Sequence, residues 1–230
     1  MNKRKTATAI AAISAGQDNQ AWLSMWRNDQ IEFHQDAASR LLVRHWPRLG
    51  LADNSRVFVP LCGKSLDMLW LAQQGYDVVG VELSQVAVKA FFVENQIDYQ
   101  RSRAGDFICW RSEHITILSG DFFQLTMAQL GHIDLVFDRA SLTALNPAIR
   151  GLYVQHMHDI LPAGQCPVYL LTVEDPDEQE QPFDIDQELL ALYQTTFEIE
   201  VIQAERSQID MPLPEAADIT DTKLYRLLPK

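Results

Sequence analysis

The sequence predicts an α/β protein with a mainly parallel sheet and helices on both of its faces. Three observations carry this reading. Short apolar runs alternate with helical patterns along the chain, the order that lays successive strands side by side and parallel. The stretch Arg56–Ser84, RVFVPLCGKSLDMLWLAQQGYDVVGVELS, reads as strand, tight Gly-containing turn, helix and second strand. The last two runs, Phe197–Gln203 and Lys223–Leu228, have no helix between them, so they pair antiparallel at one edge.

The elements follow in chain order. Residues 1–20 read as a flexible N-terminal extension. The start, MNKRKTATAIAAISAG, is basic, and its Ala/Ile/Thr run is weakly apolar for a secretory leader. Asp18–Asn28 predicts a short helix with Trp22 and Trp26 four apart and so on one face. Gln30–Asp36 is a polar-aromatic loop, and Ala37–Leu49 a second helix with Leu41, Leu42, His45 and Trp46 on one side. Arg56–Pro60 is the first strand, where Val57, Phe58 and Val59 run up to Pro60. Gly63, with no Cβ, lets the backbone turn sharply. Leu66, Leu69, Trp70 and Gln73 give Lys64–Gln74 its helical spacing, Gly75 ends that helix, and Tyr76–Glu82 is the second strand. Ser84 caps a helix running to Glu94. Asp106–Arg111 and His114–Leu118 suggest strands joined by a tight turn, and Gly120–Phe123 a loop. Ile133–Phe137 is a buried strand delivering Asp138 and Arg139 to the sheet edge. Pro147 opens a helix to Ile160. Pro167–Val173 is a strand with its proline where a strand tolerates one, and Asp186–Gln194 is a helix.

Composition narrows the function. A chain of 230 residues with 47% hydrophobic content can bury one sizeable core, and no linker divides it, so 21–230 reads as one domain. Nineteen basic against 31 acidic side chains give a net charge of −12, which disfavours nucleic acid and an anionic membrane surface as partners. Part of that charge sits in the run EDPDEQE at 174–180. No run is long enough to span a bilayer. Cys62, Cys109 and Cys166 are widely spaced and odd in number, which points to a reducing, cytoplasmic setting. Neither they nor the six histidines show metal-ligand spacing, so no metal is assigned.

In a parallel α/β sheet, ligands bind outside the carboxyl ends of the strands. Glu82 reaches that edge nineteen positions after Gly63, as an acid that receives ribose hydroxyls does. The three-glycine dinucleotide fingerprint is missing, and Phe58 stands where a P-loop needs its first glycine. An adenosine ligand without phosphate fits better, S-adenosylmethionine being the common one. Asp121 and Phe122 offer an acid and an aromatic face to an adenine, and Arg139 a permanent charge to an anionic group. Plainer readings stay open for each. Glu82 could cap a helix, Asp121 a loop, Phe122 could be core, Cys62 a small buried residue, and Arg139 a structural pair of Asp138 or Asp134.

WLSMWRNDQIEFHQD, VFVPLCGKSLDMLWLAQQGYDVVGVELS and FDRASLTALNP, in that order, resemble the thiopurine S-methyltransferase family in its bacterial form, from about Trp22 to the C-terminus. The resemblance implies a Rossmann-like S-adenosylmethionine-dependent methyltransferase fold. Its sheet is mainly parallel and seven-stranded with an antiparallel edge hairpin. It implies methyl transfer to a small thiol, such as a thiopurine, or to a selenium or tellurium compound. It places Trp26, Leu61 and Gly63 of the Pro-Leu-Cys-Gly turn, Glu82, Asp121 and Phe122 around the cofactor. Arg139 stands between cofactor and acceptor, as the catalytic residue, and Phe33 closes over them from a lid at 21–36. It also implies a monomer. The family's Gly-Pro-Pro-Phe segment is here Glu180-Gln-Pro-Phe183, which leaves the acceptor open. A cofactor-binding protein without catalysis and a nicotinamide-dependent reductase are the other classes considered.

Overall fold

The computed structural model describes residues 16–161, 166–174, 191–208 and 219–230. The acidic run beyond Glu174, the Glu180–Phe183 segment, most of the helix expected at Asp186–Gln194 and residues 1–15 lie outside them. The strands are β1 (Arg56–Val59), β2 (Asp77–Glu82), β3 (Gln100–Ala104), β4 (Phe107–Arg111), β5 (Ile115–Ser119), β6 (Leu135–Arg139), β7 (Val168–Glu174), β8 (Phe197–Gln208) and β9 (Ile219–Pro229). They form one sheet in the order β3-β4-β5-β2-β1-β6-β7-β9-β8. The five strands from β5 to β7 pair in parallel. The expected hairpin β8–β9 closes one edge antiparallel.

The sheet therefore has nine strands rather than seven. The other edge carries a second antiparallel hairpin, β3–β4, of which only β4 was expected. β3 reads QRSRA and is largely exposed, so it offers no apolar alternation by which to recognise it. Gly105, at φ +63°, makes the turn between them.

The helices are α1 (16–27), α2 (Arg40–His45), α3 (Leu66–Gln73), α4 (Gln85–Glu94), α5 (Met127–Leu130), α6 (Ser141–Ala144) and α7 (Pro147–Ile160). The helix expected over Ala37–Leu49 tightens to a 3-10 turn at Trp46–Leu49, where Pro47 supplies no N–H for an α-helical bond. Side chains alternate across each strand. Val57, Val59, Leu135 and Phe137 pack with Met68, Leu71, Phe91 and Trp46, on the side of α2, α3 and α4. Phe58, Val136, Val79 and Val81 pack with Leu142, Tyr153 and Met157, on the side of α6 and α7. The same alternation carries Asp138 to the α7 side and Arg139 to the α3 side.

The inner face of α3 differs from the one the spacing suggested. Asp67, Met68 and Leu71 are buried, while Leu66, Leu69 and Trp70 are half-buried and Gln73 is exposed. The helix is rotated so that an acid, Asp67, faces inward. The reason lies in the site.

Candidate functional site

The turn after β1 and the end of β2 are joined through one carboxylate. Leu61 and Gly63 both take left-handed backbone angles, φ +45° and +53°. Glu82 Oε2 accepts the Gly63 N–H at 2.9 Å, and Oε1 accepts the Ser84 N–H at 2.6 Å. The Cys62 N–H donates to the Val81 carbonyl at 3.0 Å. A carboxylate has about four acceptor positions, so Glu82 retains capacity for hydroxyl donors. It is not the helix cap of the plainer reading, because Ser84 caps α4 with its own hydroxyl. Burial pushes the Glu82 carboxyl up to about 7, against hydrogen bonds from Ser84, Gly63 and Leu83 that pull it down. Cys62 is a buried free thiol. Burial first, and then the neighbouring Glu82, push its pKa well up, so it stays protonated and poorly nucleophilic.

Over this turn lies the end of α1. Trp26 is buried, and a Cβ on Gly63 would come within 3.2 Å of its indole ring. The left-handed φ and this contact together require glycine at 63. The ring of Phe33 meets Trp22 and Trp26 edge-on, with centroids 5.4 and 5.6 Å apart, and remains 47% exposed. The first residues of α1, 16–20, where the expected extension meets the expected Asp18–Asn28 helix, reach across the sheet edge. Asn19 Nδ2 donates to Asp121 Oδ2 at 3.0 Å, and the Asn146 N–H donates to Asp18.

Asp121 also accepts the Phe123 N–H at 3.0 Å and so caps the short 3-10 turn Phe122–Gln124. The Phe122 ring is core. It is 3% exposed and packs on Tyr153 and His156, with centroids 4.9 and 5.1 Å away.

Arg139 ends β6, and Ala140 after it holds a left-handed φ of +61°. Neither expected acid is its partner. Asp138, on the opposite face, is fully buried and accepts the Tyr153 hydroxyl at 2.7 Å. Asp134 accepts the Arg56 N–H at 2.7 Å. Arg139 instead forms an ion pair with Asp67, Nε to Oδ2 at 2.6 Å, and donates from Nη2 to Ser65 Oγ at 3.0 Å and from Nη1 to Gln35 Oε1 at 2.6 Å. Lys64 lies in the same turn, paired with Glu94 at 2.8 Å. Burial, helped by Lys64 and Arg139, lowers the His34 pKa. The two cations of the rim, Lys64 and Arg139, are thus each paired with a carboxylate.

The structure therefore gathers Trp26, Phe33, Leu61, Gly63, Glu82, Asp121 and Arg139 along the carboxyl ends of β1, β2, β5 and β6, while Phe122 faces the core. Sequence reasoning missed Asn19, Gln35, Ser65 and Asp67. The pattern Ser65-x-Asp67 just before an apolar helix was the one available signal, and it reads first as a helix cap. Among the described residues there is no cluster of metal-ligating side chains, and no helix is long and apolar enough to cross a membrane.

Comparison with known proteins bears on this geometry. The chain is similar to a solved S-adenosylmethionine-dependent methyltransferase from Anabaena variabilis, with a TM-score of 0.62, 16% identity and coverage of 92% of this chain and 95% of that one. It is also similar to 1,6-didemethyltoxoflavin-N1-methyltransferase of Burkholderia thailandensis, solved with bound 1,6-didemethyltoxoflavin and S-adenosylhomocysteine. There the TM-score is 0.60 and the identity 17%, over 91% and 87% of the two chains. These likenesses establish the fold. Thiopurine S-methyltransferase of Stutzerimonas stutzeri is 47% identical over 93% of this chain and 92% of its own. That of Xanthomonas campestris is 40% identical over 91% and 98%. The family described as Thiopurine S-methyltransferase (TPMT) matches residues 17–228, and the chain belongs to it.

Proposed function

We propose that this protein transfers the methyl group of S-adenosylmethionine to the sulfur of a small aromatic or heterocyclic thiol such as a thiopurine, or to a selenium or tellurium compound. The observation that carries the reading is the buried Glu82 carboxylate, set at the end of β2 against the Gly63 turn with acceptor capacity to spare. In this reading Glu82 receives the ribose hydroxyls. Leu61, Gly63 and Trp26 form the wall beside them, and Asp121 meets the adenine. The Phe122 ring supports that loop from the core, so its contact to the cofactor runs through its backbone. Residues 21–36 act as the lid, with Phe33 as the aromatic group exposed for the acceptor.

The cofactor supplies a methyl carbon already activated by its sulfonium. The chain's own task is alignment and exclusion of water. Trp22, Trp26 and Phe33 keep water from the rim. Arg139 favours the thiolate form of the acceptor and orients it, and a heteroaromatic thiol ionises readily enough to need no strong base. We place the protein in the cytoplasm as a monomer. Its three free, buried cysteines suit a reducing compartment. Its −12 charge suits a small-molecule partner rather than nucleic acid or a membrane.

Calorimetric titration with S-adenosylhomocysteine tests the cofactor half. One site per chain with micromolar or tighter affinity is expected, and no heat at two temperatures overturns it. Methyl transfer to a thiopurine tests the other half. Binding without turnover on any small thiol would leave a non-catalytic cofactor binder.

A further inference from the structure

We infer that Asp67 is a positioning residue for Arg139, and that it ties the arginine to the chain following the lid. The inference rests on the proposed role of Arg139. Asp67 is 1% exposed, and one cation and two donors converge on it. Oδ2 is paired with Arg139 Nε at 2.6 Å and accepts the Ser65 hydroxyl at 3.0 Å, while Oδ1 accepts the Ser39 N–H at 2.7 Å. These partners come from the end of β6, the N-cap of α3 and the N-cap of α2. A buried carboxylate costs much desolvation unless its lone pairs are filled, and here a guanidinium, a hydroxyl and an amide fill them.

The geometry fixes more than charge. A guanidinium is planar with five N–H donors. Asp67 holds Nε and Ser65 holds Nη2, so two anchors on one edge set the plane. Nη1 is left toward the lid, where Gln35 accepts from it. Two N–H groups remain for an acceptor. A helix-capping role does not account for Asp67, because the Ser65 hydroxyl already accepts the Asp67 N–H at 3.2 Å while the Asp67 side chain points to Arg139 and Ser39. The inward rotation of α3 follows, since its first turn is set by the arginine. The lid connects through two points of the same network, Gln35 before α2 and Ser39 at its start, so movement of the lid is felt at the guanidinium.

The test is a set of variants assayed for methyl transfer to a thiopurine, S-adenosylhomocysteine affinity and melting temperature. Asp67→Asn keeps the shape and the acceptor for Ser39 but turns an amide toward Arg139. It should lower kcat roughly ten- to a hundredfold, on the scale of lost orientation, with cofactor Kd changed less than about threefold. Asp67→Glu should recover part of the loss. The double variant with Arg139→Ala should be no slower than Arg139→Ala alone, because Asp67 acts through the arginine. If Asp67→Asn fails to fold, Ser65→Ala removes the second anchor and should lower kcat severalfold, again only when Arg139 is present. Losses that multiply in the double variant, or an Asp67→Asn enzyme as fast as its parent beside a slow Arg139→Ala enzyme, overturn the inference alone. Unchanged turnover in Arg139→Ala overturns the role of Arg139 and the inference with it.

Discussion

Glu82 and Arg139 stand on the same sheet edge but are held in different ways. Glu82 is held by residues near it in the chain, Gly63 nineteen positions away and Ser84 two away, within one strand–turn–helix–strand unit. Arg139 is held by residues from elsewhere, Ser65 seventy-four positions away and Gln35 one hundred and four away. The setting of Glu82 is complete once β1 and β2 are paired. That of Arg139 exists only when the segment before α2, α3 and β6 are all in place. Perturbing Arg139 or its partner Gln35 should therefore damage turnover while leaving cofactor affinity nearly intact, and perturbing Glu82 should do the reverse.

The largest expected effect is that of Arg139→Ala. It should lower kcat by about a hundredfold, the scale of a lost oriented charge, while S-adenosylhomocysteine binds within about threefold of the parent. Equal losses in turnover and affinity would erase the distinction between the halves. Next comes Glu82→Ala, expected to weaken S-adenosylhomocysteine by roughly 1.5–3 kcal/mol, the value of hydrogen bonds to a charged group. Its melting temperature should also fall, because the Gly63 and Ser84 N–H groups lose their acceptor. Unchanged affinity would remove Glu82 from the ribose.

A pH series sharpens the same half. Burial raises the Glu82 carboxyl from its ordinary value near 4.5 to about 7, so the folded chain binds this proton more tightly than the unfolded one. Its contribution to stability is therefore full below about 4.5, falls as pH rises and levels off above 7. Hydroxyl donors favour the carboxylate, so binding below pH 7 must release the proton. Affinity should rise with pH toward 7 and then flatten, by at most about tenfold per unit. Calorimetry in two buffers of different ionisation enthalpy reads the released proton directly, and equal heats would show that Glu82 is already ionised. The smallest effect is that of Asn19→Ala. One partly exposed hydrogen bond to Asp121 is worth about 1 kcal/mol or less, so cofactor affinity should fall no more than severalfold. A drop as large as that of Glu82→Ala would make the start of α1 part of the cofactor half.

The same contrast explains what could be read from the chain. The Gly63–Glu82 pairing was legible because strand, turn and strand are consecutive and their spacing is short. Arg139 was legible as a residue at a strand end, but its partner was not. Asp138 and Asp134 were the nearby acids, yet side-chain alternation sends Asp138 to the other face and Asp134 binds the Arg56 backbone. Asp67 follows the Ser65 N-cap at a helix start, and nothing local says that a distant strand delivers a guanidinium to it. Asn19 stands where the expected extension and the expected Asp18–Asn28 helix overlap, and nothing local names Asp121 as its partner, while β3 is largely exposed at an edge and shows no apolar pattern.

The span of α1 has a consequence for assembly. This helix is synthesised before every strand of the sheet, yet Asp121 and Asn146 bind it, and Trp26 seats on a turn held by β2. Its docking therefore waits until α7 has begun to emerge, with a long loop to close first. In the interval Trp22 and Trp26 lack the surfaces that bury them, and a partly made chain exposes aromatic surface of the kind that aggregates. Refolding followed by tryptophan fluorescence should show the parallel sheet forming first and α1 settling onto it last.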